Sequence, residues 1–326
     1  MTDLKQRIVS ALQDDLAAVE KALVDNLHPH FDLVRQVAEH ILFAGGKRLR
    51  PLMMILAARL CGYDQPDGAR FAVIFEYLHA ATLLHDDVVD GGQLRRKKTA
   101  AHRVWDPPTA VLAGDFLLAR SLSLAASTGK PEVIETIAEI TELMSQGEIR
   151  QLEHKGDLGL TEDDYLEVIR CKTAVLFRGA CRTGALVSRA PSHHVRDLAE
   201  YGHRLGMAFQ MVDDLLDYTQ DTAVLGKRAG ADLREGKLTL PVIYALQRAD
   251  AEDARWMKTM IGKTDFSEAE FQRLVTALET YGGIPYTHQC AVEHITAAKS
   301  ALAGFSSCAE RDILYDIAEY ALSRTA

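Results

Sequence analysis

Residues 83–90 read Leu83-Leu84-His85-Asp86-Asp87-Val88-Val89-Asp90 and residues 211–217 read Met211-Val212-Asp213-Asp214-Leu215-Leu216-Asp217, so Asp-Asp-x-x-Asp occurs twice in one chain. On an α-helix, positions 0, 1 and 4 fall at roughly 0°, 100° and 40°, which gathers each triplet's carboxylates on one face. Apolar residues precede both triplets: Ala80, Ala81, Leu83 and Leu84 before the first, Met207, Ala208, Phe209 and Met211 before the second. Buried helices whose ends open into a cavity are therefore expected. Ionised groups are rarely buried without partners, and two facing triplets would repel each other with nothing between them. Magnesium supplies the missing charge, because it binds one or two carboxylates together with the phosphates of a substrate. One such triplet could be a solvated acidic face. Two with identical spacing point to a magnesium-diphosphate site, with Asp86, Asp87, Asp90, Asp213, Asp214 and Asp217 as candidate ligands.

Outward from these triplets, nearly every segment carries apolar residues at helical spacing, as in Leu4, Ile8, Leu12, Leu16 and Val19. The spacing predicts helices at about 2–26, 30–43, 49–62, 67–90, 108–127, 131–154, 161–189, 193–221, 238–249, 266–281, 285–304 and 307–323. Gly45-Gly46 ends one helix, Pro107-Pro108 opens another, and Thr161 with Asp164 has the form of a capping box. Alternating strand signals are nearly absent. An all-α bundle around a central cavity is expected, and without a linker or a shift in composition the 326 residues read as one domain, 1–326.

Composition narrows the function. The net charge is −9 and 48% of residues are hydrophobic, which gives ample core and disfavours general nucleic-acid binding. No stretch reaches the roughly 18 apolar residues of a membrane span, so a cytoplasmic protein with at most peripheral membrane contact is expected. The five cysteines contain no CxxC pair and are odd in number, which argues against a disulfide framework and against zinc.

Against this acidic background two basic segments stand out. Gly45-Gly46-Lys47-Arg48-Leu49-Arg50-Pro51 lies between helices, where glycines let backbone approach an anion and Lys47 and Arg50 converge on it. Gly91-Gly92-Gln93-Leu94-Arg95-Arg96-Lys97-Lys98 follows the first triplet, within reach of whatever the metals hold, and arginine's planar fork suits phosphate. His79 and Gln210 fall on the carboxylate faces of their helices by spacing, though either residue type also occurs as a satisfied core polar group. Lys172-Thr173 interrupts an apolar helix, while Gly226-Lys227 and Gly236-Lys237 flank the loop after the second triplet.

Taken together these segments resemble the trans-isoprenyl diphosphate synthases. The resemblance runs from GGKRLRP at 45–51 through LLHDDVVD at 83–90, LRR at 94–96, AVLAGDFL at 110–117, KTA at 172–174, FQMVDDLLD at 209–217 and GKRAGADLREGKLTLP at 226–241. It implies a magnesium-dependent prenyltransferase, usually a homodimer, that joins isopentenyl diphosphate to an allylic diphosphate. By position, Asp86, Asp87, Asp90 and Asp213 match magnesium ligands for the allylic diphosphate, with Asp214 and Asp217 supporting the second cluster. Arg95, Lys172, Lys227 and Lys237 match residues that grip that diphosphate. Lys47, Arg50, His79 and Arg96 match the isopentenyl diphosphate pocket, and Thr173 and Gln210 match residues near the reacting carbons. Gly91-Gly92 and Lys97 depart from the pattern, since the family often has an acidic-serine pair and a glycine there.

Product length is read from the residues before Asp86. Ala81 and Thr82 are small where short-chain members tend to carry aromatics, and Leu78, Phe75 and Ile74 continue toward the helix start. A channel open for about 10 Å beyond Thr82, at ~1.5 Å per residue, is expected. It favours a long octaprenyl or decaprenyl product of the quinone side-chain type, with geranylgeranyl synthesis as the alternative. A terpene cyclase would not need the isopentenyl pocket, and a silent partner subunit would be expected to lose aspartates.

Overall fold

A computed structural model of the chain describes residues 2–96, 98–219 and 230–323. Helices α1 (Thr2–Ala11), α2 (Gln13–Asp25), α3 (Asp32–Leu42), α4 (Leu49–Leu60) and α5 (Gly68–Val89) lead to a two-stranded hairpin, β1 (Leu94–Arg95) and β2 (Lys98–Thr99). After α6 (Ala101–Val104) come α7 (Pro107–Ser127), α8 (Pro131–Glu153), α9 (Glu162–Ile169), a π-helical turn (Arg170–Ala174) and α10 (Val175–Val187). The chain continues through α11 (Ser192–Thr219), α12 (Ala231–Arg234), α13 (Leu240–Arg248), α14 (Ala251–Met260), α15 (Glu268–Thr280), α16 (Gly283–Ala301) and α17 (Ala309–Ser323).

Local chemistry sets the boundaries. The Asp106 side chain caps α7 by accepting from the Thr109 N–H while Pro107 fills the first turn, and Thr161 and Asp164 form the reciprocal box that starts α9. The helix expected over 2–26 is divided at Leu12, whose φ/ψ of −112° and 12° bends the backbone between α1 and α2. The long helix expected over 161–189 widens into the π turn midway. Helix α14 was not expected: RWMKTM has a short, mixed pattern, and its start rests on the Asp250 side chain accepting from the N–H groups of Glu252 and Asp253. The LRRKK segment, read as a basic loop, forms the β1-β2 hairpin, with Leu94 opposite Thr99 and Arg95 opposite Lys98.

Three apolar clusters lie side by side. The first joins α2, α3, α5, α7 and α8; the second joins α4, α10, α11, α16 and α17; a smaller one gathers α13, α14 and α15. Two glycines permit the closest approaches. A Cβ at Gly184 would stand 2.5 Å from the Met54 carbonyl of α4, and one at Gly206 would stand 2.6 Å from Cα of Ala174. The second contact brings α11 against the π turn. Among the described residues one helix, Pro107–Ser127, is long and apolar enough by length and composition to cross a membrane, although Asp115 and Arg120 interrupt its apolar run. Here it packs against the protein, and its Arg120 donates to the Asn26 carbonyl at 2.6 Å.

Candidate active site

The first triplet closes α5. Asp90 is the cap residue, and its N–H donates to the Asp86 carbonyl at 2.8 Å. Each of the three carboxylates meets a cation from a different element. Asp86 lies 3.9 Å from the Lys172 ammonium of the π turn. Asp87, 2% exposed, accepts from Arg95 Nε at 2.8 Å across the turn into the hairpin. Asp90 faces Lys237 Nζ at 3.2 Å. Burial pushes the Asp86 carboxyl up to about 6 despite Lys172, with Glu148 and Asp90 adding to the effect. Burial works against the Lys237 ammonium, yet Glu235 and Asp90 raise its pKa overall.

Sequence reading missed two side chains here. Glu148 and Gln151 of α8 accept from Lys172 at 2.5 and 2.8 Å and hold the ammonium between α8 and α5. Both stand among ordinary polar surface spacings, so no local pattern distinguished them.

The second triplet is set differently. Asp213 is exposed, whereas Asp214 and Asp217 are 4% and 1% exposed. Tyr165 of α9 donates to Asp214 Oδ2 at 2.6 Å, and Gln210 Nε2 donates to Asp214 Oδ1 at 2.7 Å. The Thr173 hydroxyl donates to Gln210 Oε1 at 2.8 Å. Asp217 accepts from the Asp232 N–H at 3.1 Å. Lys172 and Thr173 are adjacent, but one addresses the first triplet and the other the second, which the wider π turn allows.

The basic pocket lies beyond the hairpin tip. Arg96 has φ 50° and donates to the Gly45 carbonyl; a side chain at Gly46 would meet its guanidinium at 2.8 Å. His79 is driven well below the usual imidazole range by burial and by Arg50, Arg96, Arg95 and Arg48, so the ring is neutral at pH 7. Burial lowers Arg50 to about 10, still cationic, and its guanidinium carbon lies 4.6 Å from the Phe177 ring centre. Arg50 Nε is buried without a partner. Asp213 also acts on Arg50, which brings the second triplet to the edge of this pocket. Lys47 is exposed, with its ammonium 5.3 Å from the Tyr320 ring of α17. Lys227 and Lys97 lie outside the described residues. Arg48, passed over in the sequence, is 3% exposed and joins Glu20 at 2.7 Å, Glu76 at 2.6 Å and the Leu42 carbonyl at 2.6 Å. A lone Glu76 inside the apolar run AVIFEYLH was the signal for it.

Among the described residues no three carboxylate, imidazole or thiol groups form a ready-made metal cage. The donor set still suits magnesium, which takes few protein ligands and completes its shell from phosphates and water. Asp87 Oδ2 is buried without a partner and Asp86 is short of positive charge, the condition a divalent cation relieves. The channel expected beyond Thr82 is not preformed. Ile74, Phe75, Leu78 and Ala81 are 0 to 3% exposed and packed in the first cluster, because apolar side chains fill such space rather than line a water-filled void.

The polyprenyl synthetase family model matches residues 31–278. The chain is 35% identical over 319 residues to the octaprenyl diphosphate synthase of Escherichia coli strain K12, covering 98% of each. A crystal structure of a polyprenyl synthase from Caulobacter crescentus CB15, complexed with calcium and isoprenyl diphosphate, is 41% identical with a TM-score of 0.92 and 98% of each chain covered. A decaprenyl diphosphate synthase from Rhodobacter capsulatus is 40% identical with a TM-score of 0.91, over 98% of this chain and 99% of that one. With both aspartate triplets in place and coverage that spans nearly the whole chain, the protein belongs to the polyprenyl synthetase family and is a prenyltransferase.

Proposed function

We propose that the protein condenses isopentenyl diphosphate head to tail with an allylic diphosphate and elongates it to an all-trans product of octaprenyl to decaprenyl length. One observation carries the reading: there are two separate cationic sites, one against the aspartates and one around His79, as two diphosphate substrates require. A terpene cyclase would have no use for the second. The octaprenyl and decaprenyl synthases among the similar proteins support the long product, as do the small side chains of Ala81 and Thr82.

Asp86, Asp87, Asp90 and Asp213 would hold magnesium, with Asp214 and Asp217 behind them. Bound magnesium supplies neutralisation of negative charge on the departing diphosphate. Arg95, Lys172 and Lys237 grip that diphosphate, and their charges favour heterolysis of the allylic C–O bond, since they lie where charge develops; Lys227 joins them by its match to the family motif. Lys47, Arg50 and Arg96 bind isopentenyl diphosphate, and neutral His79 donates a hydrogen bond to it. Holding its double bond beside the allylic carbon makes attack effectively intramolecular. Thr173 and Gln210 border the reacting carbons, and the proton lost from the coupled chain passes to the released diphosphate.

Five cysteines without a disulfide fit a cytoplasmic location. Leu112 and Leu122, left exposed on α7, are surface that a second copy of the chain in a homodimer would cover. Incubating the purified protein with labelled isopentenyl diphosphate and each allylic primer, then sizing the dephosphorylated prenols, tests the reading. Octaprenyl to decaprenyl prenols are expected. Geranylgeranyl-length products alone would move the protein to the short-chain class, and absence of condensation with every primer would end the reading.

A further inference from the structure

Tyr165 has no place in the roles assigned so far, yet it is 4% exposed and its hydroxyl is 2.6 Å from Asp214 Oδ2. It ends a buried chain of hydrogen bonds. Tyr165 and Gln210 donate to the two oxygens of Asp214, and Thr173 donates to Gln210. The Gln210 amide nitrogen faces Asp214 Oδ1 and its oxygen faces Thr173, and Oδ1 accepts in this way even though burial and Asp232 push the Asp214 carboxyl well above the usual carboxylate range. The Thr173 proton is then committed to Gln210. What Thr173 presents in other directions is oxygen lone pairs.

We propose that Tyr165 and Asp214 are positioning residues that lock the Gln210 amide, so that Thr173 meets the reacting carbons as an acceptor, and that Asp214 is not a metal ligand. This rests on the placement of Thr173 and Gln210 beside the reacting carbons. The allylic carbons become cationic in the proposed reaction, so an oxygen lone pair is favourable there and a hydroxyl proton is not. Only an acceptor at position 214 enforces this polarity. Asparagine has the same shape but carries a donor; it would let Gln210 turn over, send its nitrogen to Thr173 and turn the Thr173 proton outward. The neighbouring Asp213 is exposed and lies at the edge of the basic pocket, whereas Asp214 is buried behind it.

The test compares Asp214→Asn, Tyr165→Phe, Thr173→Val and Asp213→Asn with the full-length enzyme, with thermal unfolding to establish that each is folded. Asp214→Asn should lower kcat about 100-fold and Tyr165→Phe about tenfold, with both KM values within about twofold of wild type. Calorimetric binding of magnesium with inorganic diphosphate should stay within about twofold in both, while Asp213→Asn weakens it at least about tenfold. Asp214→Asn combined with Thr173→Val should be no slower than Thr173→Val alone, because both act through one hydroxyl. If Asp214→Asn does not fold, the Tyr165→Phe cycle with Thr173→Val takes its place. Additive losses, or magnesium-diphosphate binding weakened by Asp214→Asn as much as by Asp213→Asn, would overturn the inference and leave the proposed function standing. An Asp213→Asn enzyme that binds magnesium diphosphate like wild type would overturn the division of roles between Asp213 and Asp214 and leave the proposed function standing.

Discussion

The two aspartate triplets share a spacing and differ in almost everything around it. In the first, Lys172, Arg95 and Lys237 converge from three elements, one to each carboxylate. In the second, Asp214 is held by the neutral donors Tyr165 and Gln210, and Asp217 accepts from a backbone N–H. Repeated sequence thus produces two electrostatic environments. The first is a set of ion pairs that a diphosphate can rearrange, since Lys172 and Lys237 each have a second anion nearby, Glu148 and Glu235. The second is a fixed hydrogen-bonded frame whose exposed member, Asp213, points outward.

The largest effect should come from removing one carboxylate from each triplet. Asp86→Asn and Asp213→Asn keep shape and lose charge, and each should lower turnover by on the order of 1000-fold or more in magnesium buffer. Steady-state rates with saturating substrates measure this. Wild-type turnover in either variant would break the symmetry between the triplets and take that aspartate out of the site.

The next effect is on stability. Burial lifts Asp86 in the folded protein to about 6, from an ordinary carboxylate value of 3.8. Between these values the folded state binds a proton that the unfolded state releases, so this group's contribution to stability is fully present below pH 4 and is lost as pH rises through 6. A shift of about two units corresponds to on the order of 3 kcal/mol. In metal-free buffer Asp86→Asn should therefore be more stable than wild type at pH 8, and the difference should vanish near pH 4. Urea titrations at the two pH values decide this, and equal offsets at both would mean that the carboxyl is not destabilised by burial.

Much of this was legible in the sequence, and the reasons are specific. The triplets are short-range patterns on helices, so their presence followed from 3.6-residue periodicity, whereas the single shared face did not hold in the second, where Asp213 is exposed and Asp214 and Asp217 are buried. The long helices were visible for the same reason, because α5 and α11 are apolar over many turns. Pairings that depend on separate helices meeting were hidden: Glu148 with Lys172, Tyr165 with Asp214, Glu76 with Arg48. The closed path beyond Thr82 was hidden too, since small residues say that space exists but not what fills it.

A smaller effect sharpens the role of the hairpin, which gives its two arginines to different surroundings. Arg95 turns back to Asp87 of the first triplet, while Arg96 reaches the Gly45 carbonyl beside His79. Lysine keeps the charge and loses the bidentate fork. Arg95→Lys should raise KM for the allylic diphosphate, and Arg96→Lys KM for isopentenyl diphosphate, each by about tenfold. Two-substrate kinetics resolves the constants, and equal rises in both for both variants would dissolve the division.

The smallest change in rate accompanies the most visible change in product. Aligned on their aspartates, the triplets differ four residues upstream, where the first helix has Thr82 and the second has Phe209. The Phe209 ring lies 5.2 Å from that of Phe177, so the α11 side is walled by aromatics. On the α5 side Thr82 is half-buried and Ala81 beside it is small, which leaves this as the side where an apolar tail can displace its neighbours. Each added unit then exchanges side-chain contacts for tail contacts at little net cost, because both are apolar. Ala81→Phe extends the aromatic wall to this side. Overpacking at such a site costs about 1 to 3 kcal/mol, which a folded domain tolerates, and the aspartates and cations are untouched. Early condensations should therefore run within about threefold of the wild-type rate, while elongation stops at farnesyl to geranylgeranyl length. Chromatography of the dephosphorylated prenols reads the outcome directly. An unchanged long product from folded, active Ala81→Phe enzyme would mean that the tail leaves along another helix.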